Sequence, residues 1–103
     1  MLRKKKHSKE VKENKKRTLR KVPFKLLAPE AQNVSLAGVF NNWDLNSHLL
    51  KKDSKGMWKI VIDLMPGRYE YRFLVDGQWK NDHKCTDLVA NPFGTENCIL
   101  TLK

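Results

Sequence analysis

Long hydrophobic runs are missing from this sequence: nothing in its 103 residues approaches the roughly 20 apolar side chains needed to cross a bilayer. The basic N-terminus is not followed by the apolar stretch of a secretion signal. These absences predict a soluble, cytoplasmic protein. Cysteine is scarce too. Cys85 and Cys98 form no CxxC motif, and no histidines stand at metal-ligand spacing. Two cysteines are too few for a disulfide framework, and Cys98 sits in an apolar alternation where a buried free thiol is the expectation. Catalytic constellations are equally thin. There is no serine elbow, no phosphate-binding glycine loop and no HExxH, and the domain's acids fall singly on turns and strand faces. His48 and His83 lie in loops and read as solvated, without a nucleophile or paired carboxylate to work with. The sequence therefore predicts no enzymatic activity, no metal and no cofactor.

What is abundant is positive charge, and it is unevenly placed. Of 21 Lys and Arg, 11 lie in residues 1–21 against Glu10 and Glu13; the remaining chain is close to neutral. Those first 21 residues carry no aromatic and only Met1, Leu2, Val11 and Leu19 as large apolar side chains. Such a segment buries too little surface to offset its ordering entropy, so it reads as a disordered or transiently helical basic tail. The folded domain is expected over 22–103.

Within that domain, short apolar stretches are separated by Pro, Gly, Asn and Asp at intervals of about ten residues, the pattern of antiparallel β structure. "VPFKLLA" and "VSLAGVF" read as the first two strands. "MWKIVIDL" alternates with period two, setting Trp58, Ile60, Ile62 and Leu64 on one face and Lys59, Val61 and Asp63 on the other. "YEYRFLV" repeats this with Tyr69, Tyr71, Phe73 and Val75 facing one way. Asp76-Gly77 then gives a strong hairpin signal, so "QWK" folds back, and "NCILTL" makes the last strand. Six or so short strands without a convincing helix predict an all-β sandwich, because one small open sheet would leave an apolar face wet.

Three tryptophans are present and only Trp58 lies inside an alternation, as a core residue should. Trp43, in "GVFNNWD", stands past the end of its strand, and Trp79 stands just past the Asp76-Gly77 turn. Each either closes an end of the sandwich as a lid or offers a flat face to a ligand; spacing alone leaves both readings open. A sugar ring suits such a face, since its axial C–H groups stack on indole while its hydroxyls point out to be hydrogen-bonded. One ring so buried contributes on the order of 1 to 3 kcal/mol. Bases also stack on indoles, yet the near-neutral domain lacks the cationic groove that tracks a nucleic-acid strand.

"VSLAGVFNNWD", "GMWKIVIDLMPGRYEYRFLVDGQWKND" and "NPFGTENCILTL", in that order, resemble the family 48 carbohydrate-binding modules. These include the glycogen-binding domain of the AMP-activated protein kinase β subunit and the N-terminal modules of branching and debranching enzymes. The resemblance runs from about Val22 to Leu102. It implies an immunoglobulin-like β-sandwich, no catalysis in the module, and binding of α-1,4-linked glucan without a cofactor. It places the stacking platforms on Trp43 and Trp79, the basic sugar contact on Arg72, and a loop over the sugars on Phe93, Thr95 and Asn97. Arg72 stands where the kinase subunit has Lys, keeping the charge and adding a planar fork. Phe93 replaces a Leu, and either adds stacking or packs inward.

The chain ends at Lys103, directly after the last strand, which reads as a free-standing module with a basic tail. The partners expected are an α-glucan and, through tethering, a glucan-metabolising enzyme or kinase-type complex. The alternative is an interaction module on the same fold that has lost sugar binding. Nucleic acid or another acidic surface enters only through the tail. Asn41 and Asn42 are read as the turn that lifts Trp43 off the sheet.

Overall fold

The computed structural model describes residues 19–103; residues 1–18, most of the expected basic tail, lie outside the described residues. Eight strands follow in order: β1 (Arg20–Leu27), β2 (Val34–Gly38), β3 (Lys51–Lys52), β4 (Met57–Leu64), β5 (Gly67–Val75), β6 (Gln78–Lys80), β7 (Leu88–Ala90) and β8 (Glu96–Leu102). All pairings are antiparallel. One sheet runs β1-β4-β3. The other runs β2-β5-β8-β7, and β6 pairs with β5 beyond the end of β8. The two sheets pack as a β-sandwich, the architecture expected from the alternations.

The inner faces are those alternations. Val22, Phe24 and Leu26 on β1 meet Trp58, Ile62 and Leu64 on β4 from one sheet, and Val34, Leu36, Tyr71, Phe73, Val75 and Cys98 come from the other. Phe73 and Leu36 are fully buried, and each large side chain so removed from water contributes about 1.5 to 3 kcal/mol. Trp58 is core, as expected. Its indole N–H donates to the Ala28 carbonyl at 2.9 Å, so burial leaves no polar group unpaired. Phe24 and Tyr71 pack edge to face at 5.1 Å, and the Tyr71 hydroxyl donates to Asp82. Burial first, then the Asp82 carboxylate, pushes that phenol well above its ordinary pKa.

Turns behave as their residues dictate. Asp76 (φ 48°) and Gly77 (φ 84°) make the tight β5–β6 hairpin, and the Asp76 carboxylate accepts the Gln32 and Asn33 backbone N–H groups at 2.8–3.2 Å.

Three details differ from the sequence expectation. β2 ends at Gly38, and Val39–Asn41 form one turn of 3-10 helix in place of more strand. The Asn41 carboxamide causes this: its Oδ1 accepts the Gly38 N–H and its Nδ2 donates to the Leu36 carbonyl, competing with ladder bonds. Next, β3 and β7 were not foreseen, being two and three residues long with no alternation to read. Finally, Cys85 and Cys98 pair as a disulfide, with Cα atoms 6.0 Å apart, which corrects the expectation of a free thiol at Cys98. The segment leading into β7, which pairs Leu88 with Cys98, carries Cys85 across to Cys98 despite 13 residues of separation.

Candidate functional site

The outer face of the β5 sheet gathers the residues singled out above. On β5 the pleat that buries Tyr71, Phe73 and Val75 turns Glu70, Arg72 and Leu74 outward. Trp79 lies directly opposite Leu74, so its indole stands on that same face and keeps 43% of its surface exposed.

Trp43 reaches this face through an unusual backbone. Asn42 (φ 56°) and Trp43 (φ 59°) are both left-handed, a conformation Asn tolerates and a bulky residue rarely adopts, costing about 1–2 kcal/mol. The turn is held by the Trp43 N–H donating to the Gly38 carbonyl at 2.9 Å and the Asp44 N–H donating to the Asn41 carbonyl at 3.1 Å. Asp44 braces the far side, accepting the Asn46 N–H and the Ser47 hydroxyl; those bonds hold its carboxyl below its usual pKa. The half-buried Trp43 ring meets Trp79 edge to face, centroids 6.3 Å apart and planes at 75°. The two indoles thus form one corner.

Arg72 caps this corner. Its guanidinium carbon lies 5.9 Å from the Trp79 ring centroid, Nε donates to Asn81 Oδ1 at 2.7 Å, and Nη1 donates to Thr95 Oγ1 at 3.0 Å. From Thr95 a chain of side chains runs inward. Asn91 Nδ2 donates to Thr95 Oγ1 and to Asn97 Oδ1, and Asn97 Nδ2 donates to Glu70 Oε1. Asn91 Oδ1 also accepts the Phe93 and Thr95 backbone N–H groups, folding the "NPFGT" turn around one carboxamide. Asn97 is only 7% exposed, whereas Phe93, at the tip, is 88% exposed and packs against nothing inward.

So Trp43, Arg72, Trp79 and Thr95 share one continuous surface, Phe93 projects beside it, and Asn97 stands beneath it. Asn81, Asn91 and Glu70 complete the network and were missed by sequence reasoning. The Asn-Pro dipeptide at Asn91 was a usable turn signal; nothing local marked Asn81 or Glu70. Among the described residues no group of three or more His, Cys, Asp or Glu is placed to hold a metal.

The profile of the family described as the glycogen recognition site of AMP-activated protein kinase matches residues 24–103. The chain belongs to this family. Similar proteins include the AMP-activated protein kinase subunit beta-1 of Sus scrofa, 39% identical over 72 residues, which are 70% of this chain and 56% of that protein. Protein FLOURY ENDOSPERM 6, chloroplastic, of Oryza sativa is also 39% identical over 72 residues, covering 13% of its length. The 1,4-alpha-glucan branching enzyme GlgB 1 of Rhizobium johnstonii is 37% identical over 73 residues, 10% of its length. This glycogen-recognition module therefore spans from about one tenth to just over half of these relatives. Its outer β5 face, with both tryptophans in contact, is the surface on which glycogen recognition has to be tested.

Proposed function

We propose that this module binds α-1,4-linked glucan without chemically altering it, at the corner formed by Trp43 and Trp79. The observation that carries the reading is the contact of those two indoles on an exposed face under the Arg72 guanidinium. A sugar ring stacked on Trp79 leaves its hydroxyls within reach of Arg72 N–H groups not engaged by Asn81 and Thr95. A charged donor there contributes roughly 1.5 to 3 kcal/mol. Thr95 orients the guanidinium, Phe93 offers a further apolar surface at the rim, and Asn97 acts from below by fixing Asn91. The relatives support a tethering role, since in them the matching module is a small part of a longer protein. Here it holds a glucan-metabolising enzyme or kinase-type partner to the polymer.

Native affinity electrophoresis through glycogen-containing gels tests this directly. The wild-type chain is retarded; Trp43→Ala and Trp79→Ala migrate as in plain gels while keeping their β circular dichroism. If the wild type runs unretarded on glycogen and on soluble starch, the sugar reading is lost and an interaction module on the same fold takes its place.

A further inference from the structure

His48 reads in sequence as a solvated loop residue; in the fold it is half-buried against the turn that carries Trp43. β2 holds its backbone. The Leu36 N–H donates to the His48 carbonyl at 2.9 Å, the Leu50 N–H donates to the Val34 carbonyl, and Ser35 bridges to Leu49. Only at Lys51 does the chain change sheet and cross to β4. The His48 ring stands edge-on to Phe40, centroids 6.1 Å apart and planes at 85°, and its Nδ1 lies 2.9 Å from Asn41 Nδ2.

Two backbone groups fix the direction of that last bond. A peptide N–H only donates, so the Asn41 atom 3.1 Å from the Gly38 nitrogen is the carboxamide oxygen. A peptide carbonyl only accepts, so the atom 3.1 Å from the Leu36 oxygen is the carboxamide nitrogen. With one N–H given to Leu36, the second is left for His48 Nδ1. That nitrogen is therefore an acceptor, and the ring carries its proton on Nε2. A doubly protonated ring would set one N–H against another at 2.9 Å. The charged groups around the ring are Asp44, in the same loop, and Asp63 of β4, which lines the same crevice. Asp44 is engaged by Asn46 and Ser47, and Asp63 by Lys21 at 3.2 Å.

Asn41 in turn governs Trp43. It closes the 3-10 turn ahead of the two left-handed residues Asn42 and Trp43, and its carbonyl accepts the Asp44 N–H. Strained residues in succession keep their geometry only where their neighbours fix it. We propose that His48 is a positioning residue for the Trp43 platform, a role that rests on the glucan reading of that corner. The neutral ring takes the last Asn41 N–H and locks the turn; a charged ring turns that bond into a repulsion and releases the indole. Glucan affinity is then gated by protonation of a side chain that touches no sugar.

NMR of the full chain with labelled ring nitrogens tests the bond itself. At about pH 7.5 the His48 ring holds its proton on Nε2; a proton on Nδ1 overturns the proposal. As pH falls to about 5, through the range where an ordinary imidazole becomes charged, the Trp43 indole N–H signal shifts in the wild type. It stays in place in His48→Asn, whose Oδ1 stands where Nδ1 stood and accepts at every pH. Calorimetric titration with a linear maltooligosaccharide tests the consequence. Wild-type affinity falls roughly tenfold over the same pH range, as expected for one partly buried hydrogen bond turned into a repulsion. His48→Asn binds within about twofold of wild type at the higher pH and keeps that affinity at the lower. His48→Leu, with bulk but no acceptor, binds roughly tenfold more weakly at both. Wild-type affinity that does not change with pH overturns the proposal, as does a His48→Leu chain that binds like wild type. A wild type that binds no glucan at the higher pH refutes the glucan reading instead, and the Trp43 signal then decides whether His48 positions the indole. If His48→Leu fails to fold, the wild type and His48→Asn decide between them.

Discussion

Replacing Trp79 by Ala separates a ligand platform from a structural lid. An indole side chain offers about 200–250 Å², and 43% exposure leaves on the order of 100 Å² facing solvent. A pyranose ring laid on it covers about half of that and hides a similar area of its own C–H face. Roughly 100 Å² at about 25 cal/mol per Å² gives about 2.5 kcal/mol, a loss of about 70-fold in affinity. Arg72 keeps its bonds to Asn81 and Thr95, so the polar part of the site survives the change. The fold survives as well. The buried part of Trp79 caps a three-residue strand, and its loss costs at most about 3 kcal/mol, an upper bound because the unfolded chain also hides some of that area. Calorimetric titration with a linear maltooligosaccharide, alongside urea unfolding of the same preparations, measures both quantities. A folded Trp79→Ala chain that binds within about twofold of wild type refutes the stacking argument. A chain that no longer unfolds cooperatively assigns Trp79 to the frame.

Three further outcomes are expected. Asn91→Ala removes the carboxamide that folds the Phe93 turn and links Thr95 to Asn97; it costs about 1–2 kcal/mol in urea unfolding, speeds amide exchange at Phe93 and Thr95, and weakens glucan binding. Gly38→Ala places a Cβ 2.6 Å from the Glu70 backbone oxygen and 2.9 Å from the Phe40 ring, a clash that costs about 1–3 kcal/mol in the same assay. Asp53 has its carboxyl lowered to about 2, chiefly by the Lys59 hydrogen bond and then by the Met57 and Lys55 N–H groups. Because the folded value lies below the unfolded one, its contribution is complete above about pH 4 and is lost as pH falls toward about 2. Asp53→Asn makes the thermal midpoint less pH-dependent across that window and leaves its dependence above pH 5 unchanged.

The strands that carry most of the core were legible because one physical rule governs them. On β4 and β5 the side-chain period is two and each strand buries one face, so Trp58, Ile62, Tyr71 and Phe73 announce their direction in sequence. The Asp76-Gly77 hairpin was legible because few residues accept its positive φ angles. β3 was not, since its two lysines are placed by the change of sheet at Leu50, a tertiary event without a local signature. The disulfide was hidden for a related reason: Cys85 sits in an irregular segment whose path is set by the β7–β8 pairing. In the site, Trp43 and Trp79 stood out as misplaced aromatics. Asn81 and Asn91 did not, because an asparagine in a turn has many uses, and only the fold shows that these two orient Arg72 and Thr95.

Strain and function meet at one residue. Two successive left-handed residues are costly, and the chain spends this strain at Trp43, where a strand continued from Gly38 would have followed the sheet and carried the indole away from Trp79. The left-handed pair turns the ring back until it meets Trp79 at 75°. That angle bears on the proposed ligand. A straight β-linked chain presents ring faces that lie nearly in one plane and would call for coplanar platforms. An α-1,4-linked chain coils, so successive rings turn relative to one another, and two indoles set as a corner follow that turn where a flat pair would not. Asn41 and Asn42 supply the backbone geometry and Trp43 the surface, and under the proposed function the turned pair of indoles matches a partner whose rings are themselves turned.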